Sequence, residues 1–128
     1  MREAVETGIP APKSPLEWAV RADGVLYTAL IATNPDGSQE TGDITVQTTR
    51  TLDNLRIVLD AAGGGMADVT QVLIYLIDGA DAAAMNEVYR TYFEQPYPNR
   101  ATVVVAALLV PGANIEIVVQ AHIGTPGV

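Results

Sequence analysis

The chain has 128 residues with 48% hydrophobic and 17% charged side chains, a composition that excludes a disordered protein. A chain of this size forms one domain that buries roughly two thirds of the surface its unfolded form exposes. It has no cysteine and one histidine, His122, which excludes a disulfide scaffold, a thiol nucleophile, a thiolate metal site and a histidine metal cluster.

Seven Lys+Arg against 15 Asp+Glu give a net charge of −8, a field that repels a phosphate backbone, so nucleic acid is not an expected partner. One well-placed arginine in a closed pocket would still hold a small anion. No apolar run approaches the ~20 residues of a membrane helix, and Met1 to Glu6 lack the hydrophobic stretch of a secretory signal. The chain therefore reads as soluble and cytoplasmic, without a membrane partner.

Pro10, Pro12 and Pro15 fix backbone angles and remove donors, so residues 1–14 read as an extended lead-in to a single domain over 15–125. Asp23-Gly24 is a turn between two short strands, Trp18 to Val20 and Val25 to Ile31. A reverse turn at Asn34 to Gly37 and a polar loop lead to Asp43, a helix cap. Ile44, Leu52, Leu55, Val58, Leu59 and Ala62 recur at three- and four-residue intervals until Gly63-Gly64-Gly65, marking an amphipathic helix with a glycine stop.

Val69 to Ile77 is rich in β-branched residues and reads as a buried strand. Ala80 to Glu94 follows as a second helix, with Met85, Val88, Tyr89, Tyr92 and Phe93 on one face. Ala101 to Val110 and Ile115 to Ile123 then read as two long strands joined as a hairpin by Pro111 to Asn114. The order is ββαβαββ, an α/β (α+β) domain without repeats or an internal linker. The last two strands are apolar at odd and even positions alike, so both faces of that sheet region must be covered. Two helices of this length cover one face, and the other is expected to meet further copies of the chain.

Three polar residues interrupt apolar strands: Thr28, Arg100 and Glu116. An arginine at a strand end is ordinarily solvated or in a weak surface pair. Glu116, between Ile115 and Ile117, needs water or a partner, which leaves a structural ion pair or a site. In the expected hairpin the two charges would lie ~30 Å apart at ~3.3 Å per residue. A site using both would then need two subunits. His122, Met85, Tyr89, Tyr92 and Phe93 read as structural, and Asn86 as a cap or a hydrogen-bond partner for a neighbouring loop. No Ser/His/Asp set, P-loop or GxGxxG arrangement is present in the sequence.

Pro98-Asn99-Arg100-Ala101-Thr102-Val103-Val104-Val105 with Ile115-Glu116-Ile117 resembles the signature of the RidA (YjgF) family of small trimeric proteins. Leu52-Asp53-Asn54-Leu55, Ala61-Ala62-Gly63, Met85 to Tyr89 and Tyr92-Phe93 add to the likeness, which spans about residues 14 to 123. The resemblance implies a six-stranded mixed sheet with two helices on one face, assembled as a chorismate-mutase-like homotrimer with clefts between subunits. It also implies hydrolysis of 2-imino and 2-enamino carboxylic acids to 2-keto acids and ammonia, without metal or cofactor.

Under that resemblance Arg100 clamps the substrate carboxylate, and Glu116 from the neighbouring subunit orients or deprotonates water. Thr102, Thr28, Ala29, Asn86 and Leu16 would line the substrate site. The chain departs from the family pattern at Pro15-Leu16, where a Tyr is usual, and at Thr28-Ala29-Leu30, where Ser-Gly-Gln is usual. Thr102 replaces the usual Cys. A more apolar pocket is expected, taking a bulkier or more apolar substrate. The alternatives are a non-catalytic trimer that binds small carboxylates and a pathway-specific deaminase of the aminomuconate type.

Overall fold

The computed structural model describes residues 1–124, so residue 125, the expected end of the domain, lies just outside. The Asp43 carboxylate accepts from the Val46 amide and opens helix α1 (Ile44–Ala61). The helix ends where Gly63 takes a positive φ of 84° and the Gly64 amide reaches back to the Leu59 carbonyl at 2.9 Å, a glycine closure of the kind expected from the Gly63-Gly64-Gly65 run.

The strands are β1 (Glu3–Ala4), β2 (Ala19–Ala22), β3 (Val25–Leu30), β4 (Val69–Leu76), β5 (Asn99–Val104) and β6 (Ile115–His122). They form one mixed sheet in the order β1-β2-β3-β6-β4-β5, in which only the β4–β5 pair is parallel. The sixth strand comes from the lead-in, where the ββαβαββ pattern has none. Glu3 pairs with Arg21, Ala4 pairs with Val20, and the Trp18 indole donates to the Pro10 carbonyl at 2.9 Å.

Helix α2 (Ala82–Tyr89) is shorter than the expected 80–94. A 3₁₀ turn at Gly79–Asp81 precedes it, and the bonds Thr91 N–H to Val88 and Tyr92 N–H to Tyr89 close the chain after it. Tyr92 donates to the Asp53 carboxylate at 2.6 Å and fastens this end to α1. Its hydroxyl pKa is pushed up to about 12 by burial and by that carboxylate.

The last two strands are not a hairpin. β5 pairs with β4 in parallel, whereas β6 runs between β3 and β4. β5 stops at Val104 because β4 has no partner to offer past Leu76, whose carbonyl takes the Val105 amide at 2.8 Å. The apolar pattern on both faces of β6 reflects its central position, while β5 is an edge strand.

Leu26 and Leu30 of β3, Val72, Ile74 and Leu76 of β4 and Ile115, Ile117 and Val119 of β6 face the two helices. They pack with Leu52, Leu55, Val58 and Leu59 of α1 and Met85 of α2. The intervening residues form an open face. Among the described residues no helix is long and apolar enough to cross a membrane.

Candidate functional site

The open face is organised in rows set by strand register. Glu116 lies beside Tyr75, which lies beside Val103. The next row is apolar: Ala29, Val118, Leu73 and Ala101. A third row is polar, with Tyr27, Gln120, Gln71 and Asn99, and the Gln71 amide donates to Asn99 at 2.9 Å. Glu116 is thus a half-buried carboxylate at the border of an apolar surface. Burial holds its pKa above the ordinary 4.5.

Arg100 occupies the other side of the sheet. It pairs with helix-facing Val72, and its guanidinium carbon lies 4.7 Å from the centre of the Tyr89 ring on α2. Burial raises the Tyr89 pKa and the nearby guanidinium lowers it, with burial dominant. Thr102, two residues along β5, is on the same side and exposed. Asn86 precedes Tyr89 by one helical turn, and both its Oδ1 and the Tyr89 hydroxyl are buried without a partner among the described residues.

Register separates Arg100 and Glu116 by three residues along the strands and two strands across, ~14 Å between Cα atoms at ~3.3 Å per residue and ~4.8 Å per strand. The hairpin-based spacing is therefore corrected, and a different barrier replaces it. Within one chain the two side chains project from opposite faces, so they do not meet.

Ala29 shares the open face with Glu116 as a diagonal neighbour through Val118. Thr28 points the other way, buried against the helices, and its hydroxyl donates to the Trp18 carbonyl at 2.7 Å. That hydroxyl is committed to joining β2 and β3. Leu16 lies just before β2 with 48% of its surface exposed. It sits toward the end of the sheet where β6 begins, since Ala19 pairs with Thr28 and Leu30 with Ile117. His122 is exposed at the opposite end of β6, beside Val25.

Sequence reasoning assigned Tyr89 to the core and did not single out Tyr75. Tyr89 is indeed buried, but it also forms the floor under Arg100, and Tyr75 is the cross-strand neighbour of Glu116. Neither role has a local signal, because each contact joins segments far apart in sequence. A hollow of about 170 Å³ lies elsewhere, lined by residues including Thr7, Pro10, Asn34, Arg50, Asn54 and Ile57 and by none of the candidate residues.

The profile of the Endoribonuclease L-PSP family matches residues 7–123. The chain belongs to this family, the RidA family. The RidA-family chain is similar to the 3-aminoacrylate deaminase RutC of Acinetobacter baylyi, with 37% identity over 118 residues covering 91% of this chain and 93% of that protein. Its fold matches the crystal structure of YyfA, a Rid-family protein of unknown function from Yersinia pestis. The TM-score is 0.89 at 32% identity, over 95% and 99% of the two chains. It also matches E. coli TdcF solved with bound serine, with TM-score 0.85 and 27% identity over 94% and 98%.

Proposed function

We propose that this RidA-family protein is an enamine/imine deaminase that works as a homotrimer. In this reading it converts 2-imino and 2-enamino carboxylic acids into 2-keto acids and ammonia without a metal or cofactor. The observation that carries the reading is Glu116, a half-buried carboxylate beside the apolar row of the open sheet face, with burial as the cause of its raised pKa. A protein retains such a group where it has chemistry to do or a partner to meet. The similarity to a 3-aminoacrylate deaminase supports the same chemistry.

The open face, with Val103 47% exposed and Tyr27 42% exposed, is the surface that other copies would cover. Trimer formation would bring Arg100 of one subunit toward Glu116 of the partner subunit. It would also explain why the hollow beside Arg50 and Asn54 in a single chain avoids every candidate residue.

In the proposed reaction Arg100, stacked on Tyr89, holds the substrate carboxylate through its planar fork. An enamine first tautomerises to the imine, moving a proton from nitrogen to carbon. Glu116 then takes a proton from water as the oxygen bonds to the C=N carbon, giving a carbinolamine. Return of that proton to nitrogen completes the neutral carbinolamine, and transfer of the hydroxyl proton through Glu116 to the same nitrogen then lets the C–N bond break with its electron pair as the carbonyl forms. Ammonia and the 2-keto acid are the products. Leu16 and Ala29 give the cleft an apolar wall that suits a bulkier side chain than aminoacrylate carries.

A second reading, a carboxylate-binding trimer without turnover, draws on the serine held by TdcF. One experiment separates the two. Imino acids of several sizes, made with an amino-acid oxidase, are trapped by semicarbazide in the presence of wild type, Arg100→Ala or Glu116→Gln. Wild type is expected to suppress semicarbazone formation and both variants to lose that effect. Keto-acid binding with no suppression at any size would establish the binding role instead.

A further inference from the structure

Gln47, in the first turn of α1, is 0% exposed. A fully buried amide must satisfy a donor group and an acceptor, and this one satisfies both through three bonds to two segments. Its Nε2 donates to the Gly42 carbonyl at 3.1 Å and to the Gly112 carbonyl at 2.9 Å. Its Oε1 accepts from the Asn114 amide at 2.8 Å. The loop entering α1 and the turn entering β6 are thereby tied to one side chain. Gly112 packs so closely on the first of these that a Cβ there would lie 2.8 Å from the Thr41 methyl.

These bonds fall at a particular place. On the β4 side Glu116 is paired with Tyr75, but on the β3 side the ladder ends one residue earlier, at Leu30 and Ile117. The sheet therefore fixes Glu116 from one flank only. Beyond the core-buried Ile115 and Ile117 on either side of it, the further constraint is the chain before Ile115, which Gln47 grips two residues ahead of the carboxylate. Upstream of that grip the loop is open, with Leu109 100% exposed.

We propose that Gln47 is a positioning residue for Glu116, holding the Gly112–Asn114 turn so that β6 starts with the carboxylate at a fixed point on the open face. This rests on the reading of Glu116 as the base. A shift of about 1 Å at such a base costs up to ~100-fold in rate, so the bond network acts on turnover as well as on stability.

The test compares Gln47→Met, which removes all three bonds at similar volume, with Val58→Ala. Val58 is a fully buried residue of the same helix, far from this turn, and its truncation also lowers stability. Both are assayed as intact assemblies well below their melting temperatures. Gln47→Met is expected to lose about tenfold or more in kcat with KM within about twofold, while Val58→Ala keeps wild-type kinetics. The backbone amide resonances of residues 115–117 should move in Gln47→Met and stay in place in Val58→Ala.

If Gln47→Met folds poorly, Gln47→Glu keeps the acceptor for the Asn114 amide and should retain more activity than its melting temperature alone would indicate. Activity that falls in step with melting temperature across the variants, or Glu116 resonances unmoved in Gln47→Met, would overturn the proposal. A Glu116→Gln protein as active as wild type would instead remove the assignment of Glu116 as base. The resonance measurement would still decide whether Gln47 sets its place.

Discussion

Arg100 and Tyr89 are joined by a cation–π contact of 4.7 Å that couples the edge strand β5 to helix α2. An edge strand has a neighbour on one side only, so a side chain on it needs another support if it is to hold a fixed geometry. The Tyr89 ring, itself tilted against Phe93 at a centroid distance of 4.6 Å, supplies that support. In the proposed reaction the guanidinium keeps its remaining face and its N–H groups for the substrate carboxylate.

Removal of the ring should therefore weaken carboxylate binding more than it slows the chemistry. Tyr89→Leu is expected to raise KM about two- to fivefold, the equivalent of ~0.5–1 kcal/mol, with kcat little changed. Tyr89→Phe keeps the ring and removes a hydroxyl that is buried without a partner among the described residues, so KM and melting temperature should match or exceed wild-type performance. Steady-state kinetics and thermal melts on the two variants check this. An unchanged KM in Tyr89→Leu would mean that Arg100 is held by something else.

The pH dependence follows from Glu116. Its pKa lies above 4.5 because burial disfavours the charged form. As a base it must be ionised, so activity should fall as pH drops through that raised value, placing the acid limb above 4.5. For stability the sign is the reverse of a salt-bridged carboxylate. Between 4.5 and the raised value the folded chain keeps a proton that the unfolded chain has released, so this group's contribution declines as pH rises through that window. Glu116→Gln should lose both the acid limb with its turnover and this part of the stability slope. A pH–rate profile and melts across the same range measure them, and an acid limb at or below 4.5 would contradict the assignment.

Much of this was legible in the sequence where the signal is local. Asp43 and Gly63 bracket α1 because a cap and a left-handed residue are chemical requirements at helix ends. Glu116 stood out because a carboxylate between two isoleucines is costly. The partner of each strand was not legible. Alternation shows which faces of β5 and β6 are apolar but not which strand lies alongside, so a turn-like Pro111 to Asn114 suggested a hairpin where the chain crosses to the far side of β4. The N-terminal half of the buried face of α1 was hidden for a related reason: Gln47, Thr48, Thr51 and Asn54 are polar, and the burial of Gln47 and Asn54 depends on carbonyls and an amide far away in the sequence, while Thr51 donates to the Gln47 carbonyl one turn back. Thr28 stands out in the sequence because it interrupts an apolar strand, and the structure shows its hydroxyl donating to the Trp18 carbonyl, a partner that no local pattern reveals.

Leu16 offers a direct test of substrate size. It is half exposed before β2 and adds an apolar surface where the family pattern places a phenol. Wild type should prefer imino acids with larger apolar side chains over small ones, and Leu16→Tyr should shift the kcat/KM ratio toward the small substrates by about three- to tenfold. One or two methylenes' worth of pocket change has that magnitude. The semicarbazone assay with imino acids made from leucine and alanine reads the ratio. The same preference in both proteins would place Leu16 outside the cleft.

The open face sets the assembly prediction. Val118 lies in the apolar row between Ala29 and Leu73, near the middle of the surface that copies are proposed to share. A carboxylate introduced there must either be desolvated in the interface, at a cost of several kcal/mol per ion, or keep the copies apart. Val118→Glu should therefore sediment as a monomer and lose turnover, because Arg100 and Glu116 project from opposite faces of one chain and need two chains to share a substrate. Its far-ultraviolet spectrum should stay close to that of wild type, since the residue faces away from the core between sheet and helices. Thr45→Glu, an added charge on the exposed side of α1, should leave both mass and activity unchanged. A Val118→Glu monomer that still hydrolyses imines would show that one chain suffices, and the shared-site mechanism would have to be abandoned.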